Sequence, residues 1–301
     1  GILAVPLRAA AVTASPTGTI TGYVRDSSAQ PIAGLQVYVT AAPCDEQWLG
    51  SAVTDATGQY TITGLAPGDV FVSTCPECDQ LDYISYGCQG GVPVTVTAGQ
   101  THPVDFQLQP AGRIAGTVTD SQGNPVGNIH INAFNQSCGG GSWVFSVIAD
   151  AQGNFTIYGA PEGEIFLSTC SECAGLHYIN EWYGGARLSD CGSAASVTVS
   201  AGSPTAGVDF QLELGGTITG RVTDHNDAPI PNLQIEAIPG RCDYNNGLFG
   251  TQTDQNGDFT LAGVPAGDMY VQACATCTGQ DYINEWYGGG SDCNQAQPGS
   301  V

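Results

Sequence analysis

Apolar and polar residues alternate in short bursts along the chain. Leu35, Val37 and Val39, then Ile129, Ile131 and Ala133, then Leu233, Ile235 and Ala237 each place every second side chain on one side, the period of a half-buried strand. No stretch carries a long helical period, so the predicted elements are short strands joined by turns. The bursts sit in a common frame. "TITGYVRD" (19–26), "RIAGTVTD" (113–120) and "TITGRVTD" (217–224) open three units whose glycines Gly22, Gly116 and Gly220 are 94 and 104 residues apart. A turn ending in Pro31, Pro125 or Pro229 follows, then the alternating strand, then "DATGQY", "DAQGNF" or "DQNGDF". In those turns Gly58, Gly153 and Gly257 are free to take the positive φ a tight hairpin demands. A second Gly/Pro turn leads into "VFVSTC", "IFLSTC" or "MYVQAC".

Units one and two close on "VTVTAGQTHPVDFQL" and "VTVSAGSPTAGVDFQL", two strand-like segments each. About seven strands in roughly 95 to 105 residues predict an all-β, antiparallel Greek-key β-sandwich of the Ig-like kind, repeated three times in tandem. The expected boundaries are 1–17 for an extended N-terminal strand segment, 18–112, 113–216 and 217–301. The motifs quoted above, with "EWYGG" at 181–185 and 285–289, resemble bacterial carboxypeptidase regulatory-like repeats, relatives of the transthyretin-like and collagen-adhesin B-type sandwiches. The resemblance runs from residue 18 to 296. It implies fold and a tandem extracellular role as spacer, stalk or adhesive module, and little chemistry.

Composition sharpens this. The formal charge of −22 makes nucleic acid and anionic bilayers improbable partners. All six basic residues are arginine. Without lysine there is no Schiff base, no Walker-type phosphate loop and none of the isopeptide bonds that the collagen-adhesin branch often carries. No apolar stretch reaches the roughly 18 residues that span a bilayer, so membrane insertion is not expected. Twelve cysteines point to an oxidised, extracellular or cell-surface setting. With no initiator methionine, the expectation is a mature secreted form.

Each unit carries four cysteines in one order: Cys44, Cys75, Cys78, Cys88; Cys138, Cys170, Cys173, Cys191; Cys242, Cys274, Cys277, Cys293. First and second are 31, 32 and 32 apart, third and fourth 10, 18 and 16. A constant separation suits a bridge between framework strands and a variable one the base of a loop. The expected pairing is therefore first with second and third with fourth, with a bridge inside Cys-x-x-Cys as its main rival. Zinc binding lacks a second pair or added histidines, and a thioredoxin-like use lacks the βαβ setting.

For binding, "HYINEWYGG" (177–185) and "DYINEWYGG" (281–289) offer Trp182, Tyr183, Trp286 and Tyr287 as a possible glycan surface, against the plainer reading that the tryptophans pack as a lid. Asp55, Asp150 and Asp254 are weighed as calcium ligands against simple turn aspartates. Asn135 and Asn154 head N-glycosylation sequons. No acid–base pair or nucleophile elbow is found, and His102, His130, His177 and His225 occupy different repeat positions. Neither a catalytic site nor a cofactor is expected.

The last unit stops at "SDCNQAQPGSV", without the two closing segments. The N-terminal stretch has about the missing length. Counting back from Gly18, residues Ala10, Val12 and Ala14 fall where Val104, Phe106, Leu108 and Val208, Phe210, Leu212 stand, and Leu3, Val5 and Leu7 extend the alternation around Pro6. Supplied by a neighbour, this arm would complete the third unit by strand addition. Because the two surfaces differ, the contact would be heterologous and would build a head-to-tail homopolymer. The expectation is a structural subunit of an extracellular filament, with a carbohydrate-binding or adhesin module as the alternative. A residual signal-peptide end, a window of a longer array, or back-folding on the same chain stay open as other readings of these ends.

Overall fold

The structure is a computed structural model that describes residues 17–43, 45, 47–87, 90–138, 142–240 and 249–301. The chain divides into two compact units, residues 1–111 and 112–301. In the first, β1 (Gly18–Asp26), β2 (Gln36–Thr40), β3 (Trp48–Val53), β4 (Gln59–Leu65), β5 (Gly68–Cys75), β6 (Val92–Val96), β7 (Thr101–Pro103) and β8 (Phe106–Leu108) form two sheets. One has the order β3-β2-β5-β6; the other is β4-β1-β7, with β8 also paired to β1.

The second unit repeats the scheme twice. Its first set is β9 (Gly112–Asp120), β10 (His130–Phe134), β11 (Trp143–Ile148), β12 (Asn154–Ala160), β13 (Gly163–Cys170), β14 (Glu181–Trp182), β15 (Ala186–Arg187), β16 (Ser196–Val199), β17 (Pro204–Thr205) and β18 (Phe210–Leu212). The next is β19 (Gly216–Arg221), β20 (Gln234–Ile238), β21 (Phe249–Gln252), β22 (Asp258–Val264), β23 (Asp268–Cys274), β24 (Glu285–Trp286) and β25 (Gly299–Ser300). The sheets β11-β10-β13-β14-β15 and β12-β9-β17 thus recur as β21-β20-β23-β24 and β19-β22.

The expected all-β architecture holds, with one difference in pairing. β7 and β8 run parallel to β1, and β17 and β18 parallel to β9. The chain leaves β6 or β16 in one sheet and crosses to the other, arriving beside the opening strand in the same direction, which a two-residue hairpin could not do. This crossover is the closing strand. The alternating residues named from the sequence are the core, all nine of them buried. Gly58, Gly153 and Gly257 adopt φ of 76°, 77° and 76°, as the hairpin reading requires.

Two expectations are corrected. The bridges are Cys75–Cys78, Cys170–Cys173 and Cys274–Cys277, and in the second repeat Cys138–Cys191. The pairing is second with third and, there, first with fourth. Each Cys-x-x-Cys opens a 3-10 turn that brings its Cα atoms within 5.2–5.4 Å, a suitable span for a disulfide. The near-constant first-to-second separation reflects conserved strand lengths, not a bond. Cys293 is disulfide-bonded; Cys44, Cys88 and Cys242 lie outside the described residues. The second correction concerns the third repeat's tail. β25 pairs β23 through Asp268↔Ser300 and Met269↔Gly299, as β16 pairs β13 through Glu164↔Thr198 and Ile165↔Val197. Val301 packs into the core. One of the two segments expected to be missing is therefore in place, in a piece too short to show alternation.

Candidate assembly site

In the second repeat β9 pairs with β12, β17 and β18, whereas β19, its counterpart, pairs with β22 alone among the described residues. Burial follows the pairing. Ile114, Val118 and Phe155 are buried, while Ile218, Val222 and Phe259, at the same positions, are only partly covered.

A natural control lies in the segment "YINEWYGG", identical at 178–185 and 282–289. In the second repeat the residues around the closing strand cover it: Ile179 N donates to Glu213 O at 2.9 Å, Tyr178 bridges Leu214, and the Tyr183 ring meets Phe210 edge-on at 6.0 Å. Ile179 is 8% exposed. In the third repeat Tyr282, Ile283 and Tyr287 are 47%, 83% and 64% exposed. The same segment is thus covered beside a closing strand, and without one it leaves Tyr282, Ile283 and Tyr287 as an apolar ledge.

Glycine placement tells the same story. A Cβ on Gly22 or Gly116 would stand 1.7 or 1.8 Å from the carbonyl oxygen of Val104 or Val208, so the closing strand can cross only over glycine. Beside the crossing, Asp105 Oδ1 accepts from Tyr23 N at 2.8 Å and Asp209 Oδ1 from Thr117 N at 2.9 Å. The third repeat keeps the glycine, Gly220, but there the nearest atoms belong to the Phe259 ring, at 2.6 Å from such a Cβ. Arg221 turns its side chain to Asn256 O at 3.0 Å and Asp258 at 3.8 Å.

The closing strand also sets the electrostatics. Burial pushes the Glu181 carboxyl up to about 7, helped by the Glu213 carboxylate and opposed by a backbone hydrogen bond at Gln211. Its counterpart Glu285 is exposed.

The other candidates fall as follows. Trp182 and Trp286 are 8% and 3% exposed. Trp182 packs edge-on to Phe134 at 5.6 Å, and Trp286 clusters with Ile238 and Ala296. Their faces are covered, which fits the lid reading at both tryptophans over the alternative of a glycan surface; Tyr183 is half-buried and Tyr287 exposed. Asp55, Asp150 and Asp254 each accept from backbone amides two and four residues on, which uses them in their own turns. Those bonds, with Thr57 and Asn154 side chains contributing most, hold Asp55 and Asp150 below the usual carboxylate range. Asp26, Asp120 and Asp224 do the same at the earlier turns; the recurring "D-x-x-x-x-P" was their signal. Asn135 and Asn154 are exposed, the latter donating to Asp150 at 3.1 Å. Leu3, Val5, Leu7, Ala10, Val12 and Ala14 lie outside the described residues.

Such a crossover-closed, tandem β-sandwich defines the class. The family model of the carboxypeptidase regulatory-like domain matches residues 19–109 and 217–282, more than half of the chain, and the chain belongs to this family. No curated protein matches it. Among solved structures, the Streptococcal ancillary pilin is 12% identical with a TM-score of 0.28, over 84% of this chain and 89% of that one. BcpA, the major pilin subunit of Bacillus cereus, is 11% identical with a TM-score of 0.27, over 85% and 87%. The Bacillus anthracis TIE protein is 14% identical with a TM-score of 0.28 over 86% of this chain, which spans 45% of its length. Among the described residues no helix is long and apolar enough to cross a membrane.

Proposed function

We propose that the chain is a structural subunit of an extracellular filament, and that the strand closing its third repeat is donated by residues 1–16 of another copy. The observation that carries this reading is the exposure of Tyr282, Ile283 and Tyr287 on a segment whose identical twin is covered by a closing strand. An open strand edge beside apolar surface favours association, and strand addition satisfies both at once. Gly220 fits the proposal, because it stands at the position where the intact repeats use glycine to let a carbonyl cross. The arm offers Ala10, Val12 and Ala14 in the inward register, and three residues separate Ala14 from Gly18 just as three separate Leu108 from Gly112. Donor and acceptor are different surfaces, so the contact propagates instead of closing.

Electron micrographs of the full chain and of a chain lacking residues 1–16 test this. The full chain is expected to form fibres whose number rises with concentration, and the shortened chain none. Fibres from both would contradict donation by this arm. So would a single-particle product in which the third repeat closes only once a longer parent chain supplies residues beyond 301.

A further inference from the structure

The Cys-x-x-Cys bridges do little of the stapling expected of a secreted domain. Each closes a loop of four residues, where Cys138–Cys191 spans a sequence separation of 53, and the chain entropy a bridge removes grows with loop length. The turns are held without them. In the third repeat Thr276 N donates to Asn284 Oδ1 at 3.0 Å and Gln280 N to Ala275 O at 3.0 Å. In each pair one sulfur is on a buried residue and the other, on Cys78, Cys173 or Cys277, on an exposed one, open to thiol attack.

The third repeat adds a carboxylate. Glu236 on β20 faces Gln272 of β23, and its Oε1 lies 3.7 Å from Cys277 Sγ. The two sulfurs and one carboxylate oxygen lie within 4.8 Å of one another. Ligand atoms around one tetrahedral zinc, at bonds of about 2.0–2.3 Å, stand roughly 3.5 Å apart. The corresponding residues of the other repeats are Tyr38, opposite Ser73, and Asn132, opposite Ser168, neither of which supplies a carboxylate. Asn284 Nδ2 and Thr276 Oγ1 stand 3.7 and 3.6 Å from Cys274 Sγ, donors suited to a thiolate.

We propose that the Cys274–Cys277 turn, once reduced by a small dithiol, binds a soft divalent cation such as Zn2+ through both thiolates and Glu236. The dithiol passes two electrons and two protons to the Cys274–Cys277 disulfide and closes its own S–S bond. Metal binding then releases the two thiol protons. Water fills the fourth position, as in open zinc sites.

The full chain, treated with excess dithiol and freed of it under inert gas, is titrated with Zn2+ against a chromophoric chelator. One tight zinc per chain is expected. Glu236→Gln should weaken it about tenfold or more with the thiol count and strand circular dichroism unchanged, and alkylation mapping should find Cys138 and Cys191 still bridged. No zinc beyond that bound by the unreduced chain, equal binding by Glu236→Gln, equal sites in all three repeats, or loss of the strand signal on reduction would each overturn the proposal.

Discussion

The second and third repeats present one octapeptide in two environments. "YINEWYGG" keeps its tryptophan buried in both, at Trp182 and Trp286, because the indole packs within its own repeat, against Phe134 in one and Ile238 in the other. Its tyrosines and isoleucine are covered only where Phe210 and the Glu213–Leu214 backbone lie over them. The difference separates what a repeat builds from its own first strands from what it receives with its last one. The sheets and turns of the third repeat stand without a strand beside β19 among the described residues, and the surface there is apolar.

The largest effect that would break this comparison is a methyl group at the crossing point. Gly116→Ala drives a Cβ into the Val208 carbonyl and should destabilise the second repeat by roughly 4 kcal/mol or more. Gly220→Ala meets only the partly covered Phe259 ring and should cost about 1 kcal/mol or less in the isolated chain, yet suppress fibres. Urea unfolding of each variant reads the first, micrographs the second. Equal losses in the two repeats would show that the closing strand is not what the glycines serve. Next comes the ring that covers the segment in the second repeat. Phe210→Ala should cost about 3–5 kcal/mol and leave Tyr183 as exposed as Tyr287, visible as a rise in tyrosine quenching by iodide.

Opening the Cys138–Cys191 bridge with a Cys138→Ser, Cys191→Ser pair should cost about 2–4 kcal/mol, while the same change at Cys170 and Cys173 should cost less. A thermal melt of each pair ranks them, and the reverse order would restore the stapling role to the short bridges.

The smallest effect is the pH dependence that Glu181 brings to the second repeat. Glu181 titrates near 7 in the folded chain, above its ordinary value of 4.5. The folded state therefore holds a proton that the unfolded state releases. Stability is full below about 4.5, falls as pH rises to about 7, and is flat beyond. The group is half exposed, so after solvent screening the loss is on the order of 1 kcal/mol. Glu181→Gln should remove this slope in melts between pH 4.5 and 8, and Glu285→Gln should leave it unchanged.

Period-two alternation marked the core strands, and the Asp-x-x-Gly turns marked the hairpins, because each rests on residues close in sequence. The parallel crossover was not legible: β8 meets β1 across some 80 residues, and nothing in "VDFQL" states direction. The Cys-x-x-Cys bridge was misjudged for the converse reason. A separation kept by framework strands looked like a bond, when the local 3-10 turn had already brought Cys170 and Cys173 together. The aspartates of "DSSAQP", "DSQGNP" and "DHNDAP" were readable as turn caps and passed over. The tryptophans were readable as a lid, while the cover over Tyr183 and its absence over Tyr287 were not, because sequence gives residue type and not cover. The deficit expected at the third repeat was one segment too large, since "GSV" at 299–301 completes β25 and the core without any alternation to announce it.

The central claim is that a strand from another copy closes the third repeat along β19. Amide hydrogen exchange of Thr217, Thr219 and Arg221 tests it most directly, in a chain lacking residues 1–16 and with a peptide of residues 1–17 added. These amides should exchange freely alone and become protected as the peptide binds one to one, with Tyr287 losing its exposure. Protection that is already complete without the peptide, or that never develops with it, would contradict the account.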